Sequence, residues 1–503
     1  MEQQSQTIVI GSGPAGMAAT CALVARGCRV LLVDGSDRGA SSGHEIGGAS
    51  FEPRPDFLAQ YFTALAHDLS PKIAALNARG DVTRYLAQNR VQLENFHALG
   101  LLGTGGLSAV WGGTMSPYSA RDLLLCHLRE ADLRASCQTI FQRLGLGPLC
   151  PWTEPTPQGG LSAEDAPSAL ESQLWRRHQS RATKGSPASE RTVLRFVPRL
   201  AYNFAQDLPG LLRTGLAEYR PGILVDSVIP GNRLNGGYLL RLRSSSSALE
   251  TWWAKTVVVA AGTIATTRIL ARVCGLDGKL IPFLNTPCFV FAFVLPVLLG
   301  HGTPGSQVAP LQLVCSSALA GDDVAVAQVY SGADLPTVQL THHLPLTTKG
   351  GIALTKAVQP CLGVCRLYLS SDYSHNTAFI EVERGGECQV TIRGQTNEQC
   401  LGQARITFHQ VSAALRRLGA FVLPRTFREI PLGQDAHYGG TLPMNRVTSK
   451  EGEVLGHNQL FAVDGSVLGR LSATSPTLTI MANADRIGSI VADRLRHETS
   501  DHA

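Results

Sequence analysis

The feature that most constrains the fold is a glycine-rich turn near the N-terminus, which joins an apolar strand pattern to a helical pattern. The apolar run 7–10 leads into Gly-Ser-Gly-Pro-Ala-Gly at 11–16, and a second apolar run, 30–33, ends at an aspartate. This order is typical of a βαβ dinucleotide-binding unit, in which glycines let a pyrophosphate approach the backbone and the acid accepts ribose hydroxyls. The predicted cofactor-binding residues of this unit are Gly11, Gly13, Pro14, Ala15, Gly16 and Asp34.

The last folded segment predicts a second cofactor contact. An apolar run at 460–463 ends in an Asp-Gly pair, and a Ser-Pro-Thr sequence at 475–477 opens a helical stretch. The unpaired N–H groups and the positive dipole end of such a helix suit negative charge on a cofactor. Asp before Gly also forms turns, and Ser-Pro is a common helix start, so purely structural roles stay open. The predicted cofactor-binding residues here are Asp464, Gly465, Pro476 and Thr477.

Composition excludes several classes of protein. With 503 residues the chain can form two or three domains, and 44% hydrophobic with 17% charged residues is typical of a folded globular protein. The net charge of +5 comes without a dense Lys/Arg run, so no nucleic-acid partner is expected. The short stretch before the first strand leaves no room for a signal peptide, which favours a cytoplasmic location. The twelve cysteines contain no Cys-x-x-Cys pair, which favours buried thiols over disulfides, and no metal site is predicted.

The apolar run 287–299 raises the question of a membrane segment. It is shorter than the roughly 20 residues needed to span a bilayer, and prolines interrupt it. A buried strand is the favoured interpretation, and a lipid-contacting rim at a site entrance is the alternative. Membrane association is therefore not expected.

Periodicity predicts a change of architecture along the chain. Predicted elements are strands at 223–228, 238–242 and 252–261, a helix at 263–273, a hairpin of strands 377–383 and 388–392, and a helix at 398–418. The middle of the chain therefore reads as an antiparallel sheet with a helix or two.

Five blocks, taken in order, resemble the glucose-methanol-choline (GMC) oxidoreductases, a family of FAD enzymes. They are the N-terminal fingerprint, Gly-Gly-Leu-Ser-Ala-Val-Trp-Gly-Gly at 105–113, Val-Val-Val-Ala-Ala-Gly-Thr at 257–263, His-Tyr-Gly-Gly-Thr at 437–441, and the segment from 460 to 484. The resemblance implies an α/β fold with a Rossmann-like FAD-binding domain of GMC type and an inserted antiparallel-sheet substrate domain. The implied segments are 1–130, 216–285 and 433–503 for the FAD-binding domain, 131–215 for a cap or substrate region, and 286–432 for the substrate domain.

The block at 105–113 implies how the flavin is held. Pyranose-oxidising members of the family carry a flavin-linked histidine one residue before the tryptophan, and this chain has Val110 there. The resemblance therefore implies a non-covalent FAD, although the tryptophan also fits a core role. The cofactor-binding residues implied by this block and by 257–263 are Gly106, Ser108, Trp111, Gly112, Ala261 and Gly262.

The resemblance also implies the catalytic residues. His437 matches the family histidine that takes a proton from the substrate hydroxyl, a role that suits an imidazole with a pKa near 6.5. At the second catalytic position, where members have His or Asn, this chain has Ser475. A serine is a poorer proton acceptor, and it also suits a helix cap.

Three functions stay open at this point. The first is oxidation of a CH–OH group of an alcohol, sugar or natural-product-like small molecule by hydride transfer to FAD. The second is a net non-redox isomerisation, cyclisation or elimination on the same scaffold, which the serine motivates. The third is an FAD-stabilised binding protein. The motifs do not specify the electron acceptor, which is oxygen, a quinone or another carrier.

Overall fold

The computed structural model describes residues 4–36, 76, 81–110, 113–146, 168–182, 192–200, 202–231, 236–244, 249–301, 311–319, 323–334, 349–383 and 387–500. The strands within these ranges are β1 Gln4–Ile10, β2 Val30–Val33, β3 Val91–Glu94, β4 Thr192–Pro198, β5 Ala217–Arg220, β6 Ile223–Pro230, β7 Tyr238–Ser244, β8 Leu249–Val259, β9 Leu280–Pro282, β10 Leu284–Asn285, β11 Cys288–Val294, β12 Leu311–Ala318, β13 Val324–Ser331, β14 Leu362–Tyr368, β15 Thr377–Val382, β16 Cys388–Arg393, β17 Phe421–Glu429, β18 Tyr438–Gly439 and β19 Leu460–Ala462. The helices are α1 Pro14–Ala25, α2 Asp81–Gln88, α3 Ala120–Leu125, α4 Glu130–Arg143, α5 Ala169–Ala182, α6 Leu208–Arg213, α7 Thr263–Leu270, α8 Lys349–Val358, α9 Cys400–Arg417 and α10 Thr477–Ser500.

A seven-stranded sheet unites the two ends of the chain. Its order is β5-β2-β1-β8-β7-β6, and β19 pairs with the last residues of β8. The pairs β5/β2, β2/β1, β1/β8 and β8/β19 are parallel, whereas β8, β7 and β6 form an antiparallel meander. Parallel strands are usually covered on both faces, which explains why β2 is apolar and buried throughout. The predicted βαβ start and three-strand meander thus lie in one sheet.

Helices α1 and α10 pack closely against each other beside this sheet. The contact is tight because Gly488 has no side chain: a Cβ there would lie 2.8 Å from the Ala19 carbonyl oxygen. Helix α7 contacts β6 and β16, so it joins the large sheet to a smaller one. The N-terminal βαβ unit and the C-terminal helix therefore share one core.

A six-stranded antiparallel sheet, ordered β17-β11-β14-β13-β12-β4, forms the second main layer. Its core lies against α9 and α5, and it is rich in phenylalanine from β11. The apolar run 287–299 is therefore largely a buried strand, as predicted, followed by a short turn in which Val297 and Leu299 are exposed. None of the described helices has both the length and the apolar stretch needed to cross a bilayer.

Two smaller ladders complete the architecture. A four-stranded sheet, β3-β16-β15-β9, contains the predicted hairpin as the antiparallel pair β15/β16. The two-stranded ladder β10/β18 pairs Asn285 with Tyr438 and Leu284 with Gly439. This short ladder joins the residues just before β11 to the segment 437–440.

The predicted fold class is confirmed, because a Rossmann-like α/β layer is combined with an antiparallel-sheet layer. Several helix boundaries differ from the prediction by a few residues, including those of α9, which spans Cys400–Arg417 rather than 398–418. Helix α7 ends at Leu270 rather than at 273, and α10 begins at Thr477, so Pro476 precedes the helix instead of starting it. The eleven described cysteines are all free thiols. The glycine turn at 385–386 lies outside the described residues.

We expect Gly16→Ala to destabilise the protein and Gly402→Ala to leave it as stable or more stable. Both glycines lie in helices, but a Cβ at Gly16 would overlap the Gly11 carbonyl oxygen, whereas nothing lies within 4 Å of one at Gly402. Alanine in an open helix position gains up to about 1 kcal/mol over glycine. Thermal unfolding of both variants tests this, and equal shifts would contradict the close approach of α1 to the glycine turn.

Candidate functional site

An elongated cavity runs along the carboxyl ends of β1, β8 and β19. The turns after these strands bring together Gly11, Gly13, Ala261, Gly262 and Gly465, all of which line the cavity. Ala15 and Asp34 line it as well. Ligands of open α/β sheets bind at this edge, so the position is that expected for a dinucleotide. We call it the first cavity.

Glycine backbones keep this cavity open. A Cβ on Gly13 or Gly262 would have no neighbour within 4 Å, so any side chain there would project into open space. Gly11 has a different role: its φ of +104° and its contact with the Ala260 carbonyl oxygen require glycine. Gly16 does not line the cavity but packs against Gly11. The cradle therefore fits a flat, extended group such as a dinucleotide.

Asp34 braces the glycine turn. Its Oδ2 accepts hydrogen bonds from the backbone N–H of Ser12 at 2.8 Å and from the Ser12 hydroxyl, and its Oδ1 accepts from the Ser36 N–H at 2.7 Å. Burial raises the pKa of this carboxyl, and the bonds from Ser12 and Ser36 oppose that rise. The predicted ribose acceptor is thus held at the cavity wall by the turn that it supports.

Asp464 plays a similar part at the other end. Its carboxylate accepts hydrogen bonds from the Gly262 N–H at 2.9 Å, the Thr266 hydroxyl and the Ser466 N–H at 3.0 Å. These bonds join the turn before α7 to the turn after β19. The side chain lines the first cavity while both of its oxygens are already bonded within the protein.

The loop from Gly105 to Val110 lies across the glycine turn. A Cβ on Gly106 would lie 3.5 Å from the Gly13 Cα, and the Ser108 hydroxyl donates to the Gly105 carbonyl at 2.6 Å. Ser108 Oγ also accepts from the Phe204 N–H at 3.1 Å, so its contacts within the protein are structural. Trp111 and Gly112 lie outside the described residues.

A second cavity adjoins the first. Pro14, Leu99, Leu107, Ala436 and Thr477 line both, so the two spaces meet where α1 and α10 begin. Ser108, Val110, His437 and Ser475 line the second cavity. The structure thereby brings the two predicted catalytic residues to one space, next to the predicted cofactor groove. Pro476 lines neither cavity.

The ladder β10/β18 positions His437. Asn285 pairs with Tyr438, and its amide donates to the His437 carbonyl at 3.1 Å. The next residue, Thr286, lies 3.0 Å from His437 Nδ1 through its hydroxyl oxygen. Asp435 completes the group, because its carboxylate accepts from the Thr286 hydroxyl and from the Asn285 amide at 2.5 Å.

This arrangement fixes the tautomer of His437. The Thr286 hydroxyl has one proton, which it donates to Asp435, so its oxygen accepts from an Nδ1–H of the imidazole. Nε2 then carries the lone pair, and it has no hydrogen-bond partner within the described part of the chain. The side chain of His437 is 16% exposed, through the second cavity. A neutral imidazole with a free Nε2 is the form that accepts a proton.

The surroundings shift the pKa values of His437 and Asp435 in opposite directions. Burial, followed by repulsion from Arg366, lowers the pKa of His437 to about 3. Burial raises the pKa of Asp435 to about 6, against the opposing effect of the bonds from Thr286 and Asn285. Near neutral pH the histidine is therefore uncharged while the aspartate carries its negative charge.

One face of the six-stranded sheet forms another side of the second cavity. Four side chains on β13 and β14, which we call the sheet wall, line it: Gln328, Tyr330, Arg366 and Tyr368. The Tyr368 ring lies against the His437 ring, with centroids 5.4 Å apart. The sequence reasoning missed the sheet wall, Thr286 and Asp435. The alternation of Arg and Tyr with buried Cys365 and Leu367 was the available signal.

Ser475 lies at the predicted place, before α10 and beside the second cavity, and is 7% exposed. Helix α10 begins two residues later, at Thr477. The first carbonyl oxygen to accept a helical hydrogen bond is that of Pro476, from the Ile480 N–H at 2.9 Å. No side-chain capping bond from Ser475 is found in the described residues. Its hydroxyl therefore remains available to a bound molecule.

Comparisons with known proteins support the resemblance read from the sequence. Residues 402–484 match a family model described as GMC oxidoreductase, and residues 9–85 match a model of the NAD(P)-binding Rossmann-like domain. A comparison with curated protein sequences finds no match. The predicted resemblance to the GMC oxidoreductases is confirmed by these matches.

Solved structures show the same fold. One is a formate oxidase variant from Aspergillus oryzae RIB40, studied for FAD modification, with a TM-score of 0.62, 11% identity, and coverage of 98% of this chain and 99% of that one. Another is pyridoxine 4-oxidase from Mesorbium loti, with a TM-score of 0.56, 14% identity and the same coverage. At this level of sequence identity the similarity shows a common fold, which covers nearly the whole of this chain.

We expect His437→Gln to gain stability relative to the native protein as the pH falls from 6.5 towards 3. The pKa of His437 is lowered in the folded state, so the unfolded chain binds that proton more tightly and the native protein loses stability across this window. The slope is at most about 1.4 kcal/mol per pH unit. The raised pKa of Asp435 has the opposite effect on the pH dependence of stability. It stabilises the folded protein below pH 3.8, and this contribution is lost as the pH rises through about 6, equally in the native protein and in the variant.

Urea unfolding of both proteins at pH 7 and pH 5 measures this difference. His409→Gln, an exposed change on α9, serves as the control for replacing a histidine. If the stability difference between His437→Gln and the native protein is the same at both pH values, the pKa of His437 is not lowered by the fold.

Proposed function

We propose that the protein is an FAD-dependent oxidoreductase that oxidises a CH–OH group of a small-molecule substrate, with His437 as the base and FAD held without a covalent link. The observation that carries this proposal is the neutral imidazole on the second cavity, whose Nε2 is free and which adjoins the first cavity. A base next to a hydride acceptor is what alcohol oxidation requires.

The first cavity fits FAD. Gly13 and Gly262 leave room for the pyrophosphate, and Asp34 stands where a ribose would reach it. Gly465 and Thr477 would hold the ring end, where the cavities meet. When bound, FAD supplies a ring system that accepts a hydride from the substrate carbon.

The comparisons support the cofactor and the class of reaction. The matched C-terminal model describes GMC oxidoreductases, and both solved neighbours carry names of oxidases, one for formate and one for pyridoxine. Those substrates belong to those proteins. The feature common to the two names, oxidation of a small molecule, is what we extend to this chain.

Three side chains prepare the proton transfer. His437 Nε2 accepts the hydroxyl proton as the substrate loses its hydride. Thr286 holds the ring in the Nδ1–H tautomer, and the negative charge of Asp435 stabilises the imidazolium that forms. The Asp435 carboxylate lies 3.4 Å from Nδ1, close enough for this stabilisation. Ser475, with its free hydroxyl on the same cavity, orients the substrate oxygen by a hydrogen bond.

We expect FAD to leave the protein on acid denaturation. The side chain at the position of the family's flavin-linked histidine is Val110, which has no nucleophilic atom, and it lines the second cavity. Precipitating the purified protein with acid and recording flavin absorbance in the supernatant measures this. Flavin that stays with the pellet, and with a peptide after digestion, would show a covalent link.

We expect His437→Ala to keep FAD but to slow flavin reduction by at least about 100-fold, because general-base assistance contributes about 100-fold to 10,000-fold. Thr286→Val, which removes the tautomer-fixing contact, is expected to slow it by a smaller factor than His437→Ala, because Asp435 still lies 3.4 Å from Nδ1. The measurement is anaerobic mixing of the flavin-loaded enzyme with a panel of alcohols, followed by flavin absorbance.

His409→Ala is the matched control, since His409 is exposed on α9, and it should reduce at the native rate. A His437→Ala variant that reduces as fast as the native protein would remove His437 from the mechanism. A substrate that is converted without bleaching and without change of mass would favour non-redox chemistry instead.

A further inference from the structure

Arg366 is a partly buried cation that the proposed mechanism does not use. It lies on β14, a central strand of the six-stranded sheet, opposite Gln328 on β13 and Val290 on β11. Tyr368, two residues along the same strand, points to the same face, and both residues line the second cavity with His437. Its guanidinium is therefore part of the wall facing the proposed substrate.

No carboxylate balances this charge at close range. Arg268, a buried arginine, has Asp226 at 3.0 Å, and the buried Arg470 has Asp323 at 2.8 Å. Among the described residues no acidic oxygen lies within 4.0 Å of Arg366, and its Nη2 is buried without a hydrogen-bond partner. The Asp435 oxygens already accept from Asn285 and Thr286.

The ring contact that Arg366 makes is a weak one, because its Cζ lies 6.0 Å from the centre of the Tyr368 ring. An unpaired buried charge is costly, because a guanidinium stays protonated at all relevant pH values. Such a group is kept in a cavity wall where a bound anion completes its pairing.

We propose that Arg366 binds a carboxylate of the substrate, so that the enzyme acts on hydroxy acids. This inference rests on the proposed function, since it names the substrate class of the same site. The carboxylate would pair with the guanidinium at the sheet wall while the hydroxyl carbon lies between His437 and the cofactor groove.

The chemistry of the cavity favours a carboxylate over a phosphate. The planar fork of arginine matches the two oxygens of a carboxylate. Gln328 lies directly opposite, and the Tyr330 hydroxyl donates to its Oε1 at 2.8 Å, which leaves the amide NH₂ to donate to the same ligand. Arg366 is the one Lys or Arg among the described residues lining this cavity, which suits a single negative charge.

Binding and catalysis would be coupled through charge. Repulsion from Arg366 is one cause of the lowered pKa of His437, after burial. A carboxylate paired with Arg366 offsets that repulsion, so His437 becomes a stronger base when this substrate is present. A neutral alcohol in the same cavity would leave the imidazole a weaker base.

The reaction written for a hydroxy acid balances. The carbinol C–H bond would break and the O–H proton would go to His437 Nε2, while a C=O bond forms and gives an oxo acid. Oxidised FAD, when bound, would supply the acceptor for the hydride and its two electrons. The carboxylate is unchanged throughout.

The first test compares matched substrates in anaerobic flavin reduction by the flavin-loaded enzyme. The series contains 2-hydroxy and 3-hydroxy acids of increasing chain length, each with its primary amide. We expect the best acid to exceed its amide in reduction efficiency by on the order of 10-fold to 100-fold, the range for a hydrogen bond to a charged group. Arg366→Gln should abolish that preference, and Arg366→Lys should keep part of it.

Arg428→Gln is the matched control. Arg428 lies in the same row of the sheet, paired with Val290 on the other side, but it is exposed and lines neither cavity. It should keep the native preference for the acid. If Arg366→Gln keeps the native ratio of acid to amide, or if the native enzyme has no such preference, the inference is overturned.

The second test separates this inference from the proposed function. Hydroxyl-free acids of the same chain lengths and their amides are titrated into the flavin-loaded enzyme, and the flavin absorption spectrum reports binding. Acid binding that is lost in Arg366→Gln, without reduction by any hydroxy compound, would support the carboxylate site and contradict the proposed oxidoreductase function. Reduction of the flavin by neutral alcohols, with no effect of Arg366→Gln, would support the proposed oxidoreductase function and contradict the carboxylate site.

Discussion

The position of His437 depends on hydrogen bonds between segments far apart in the sequence. The Thr263 hydroxyl, at the start of α7, donates to the Tyr438 carbonyl at 2.9 Å, and the Gly440 N–H donates to the Gly465 carbonyl at 3.2 Å. The turns after β8 and β19 therefore hold the residues next to His437. Because these parallel strands end at one edge, the histidine is fixed beside the cofactor groove by the same sheet that forms it.

The site combines three ionisable groups in little space. Asp435, His437 and Arg366 are close enough for the charge of one to shift the pKa of another, and burial strengthens each effect. The result is a neutral base between an anion that stabilises its protonated form and a cation that opposes it. A substrate of the proposed class would place a carboxylate beside Arg366, which has no acidic oxygen within 4.0 Å among the described residues.

Much of the fold could be predicted from sequence, and part of the site. The βαβ start was readable because Gly11, Gly13 and Asp34 meet local requirements of a turn and a strand end. His437 and Ser475 came from a resemblance, and the structure brings both to the second cavity. No local pattern placed Thr286 next to His437, because that contact arises from the register of β10 with β18, strands about 150 residues apart.

Arg366 was not predicted as a site residue for a related reason. A charged residue in an alternating strand is normally read as facing solvent, and only the pairing of β14 with β11 and β13 places it inside. The sequence also predicted Asp34 and Asp464 as cofactor contacts. In the structure, their carboxylate oxygens accept hydrogen bonds from the turns that shape the first cavity. Side chains that build a binding surface and side chains that touch the ligand share the same motif.

The base and the sheet wall belong to different layers of the molecule. His437 is anchored to the Rossmann-like layer, while Gln328, Tyr330, Arg366 and Tyr368 project from the six-stranded sheet. Gln328 and Tyr330 have no ring contact with His437, so replacing either of them would change the shape of the second cavity while the contacts that hold His437 stay as they are. In an enzyme of the proposed function, the choice of substrate and the removal of its proton would therefore be set largely by residues of different sheets.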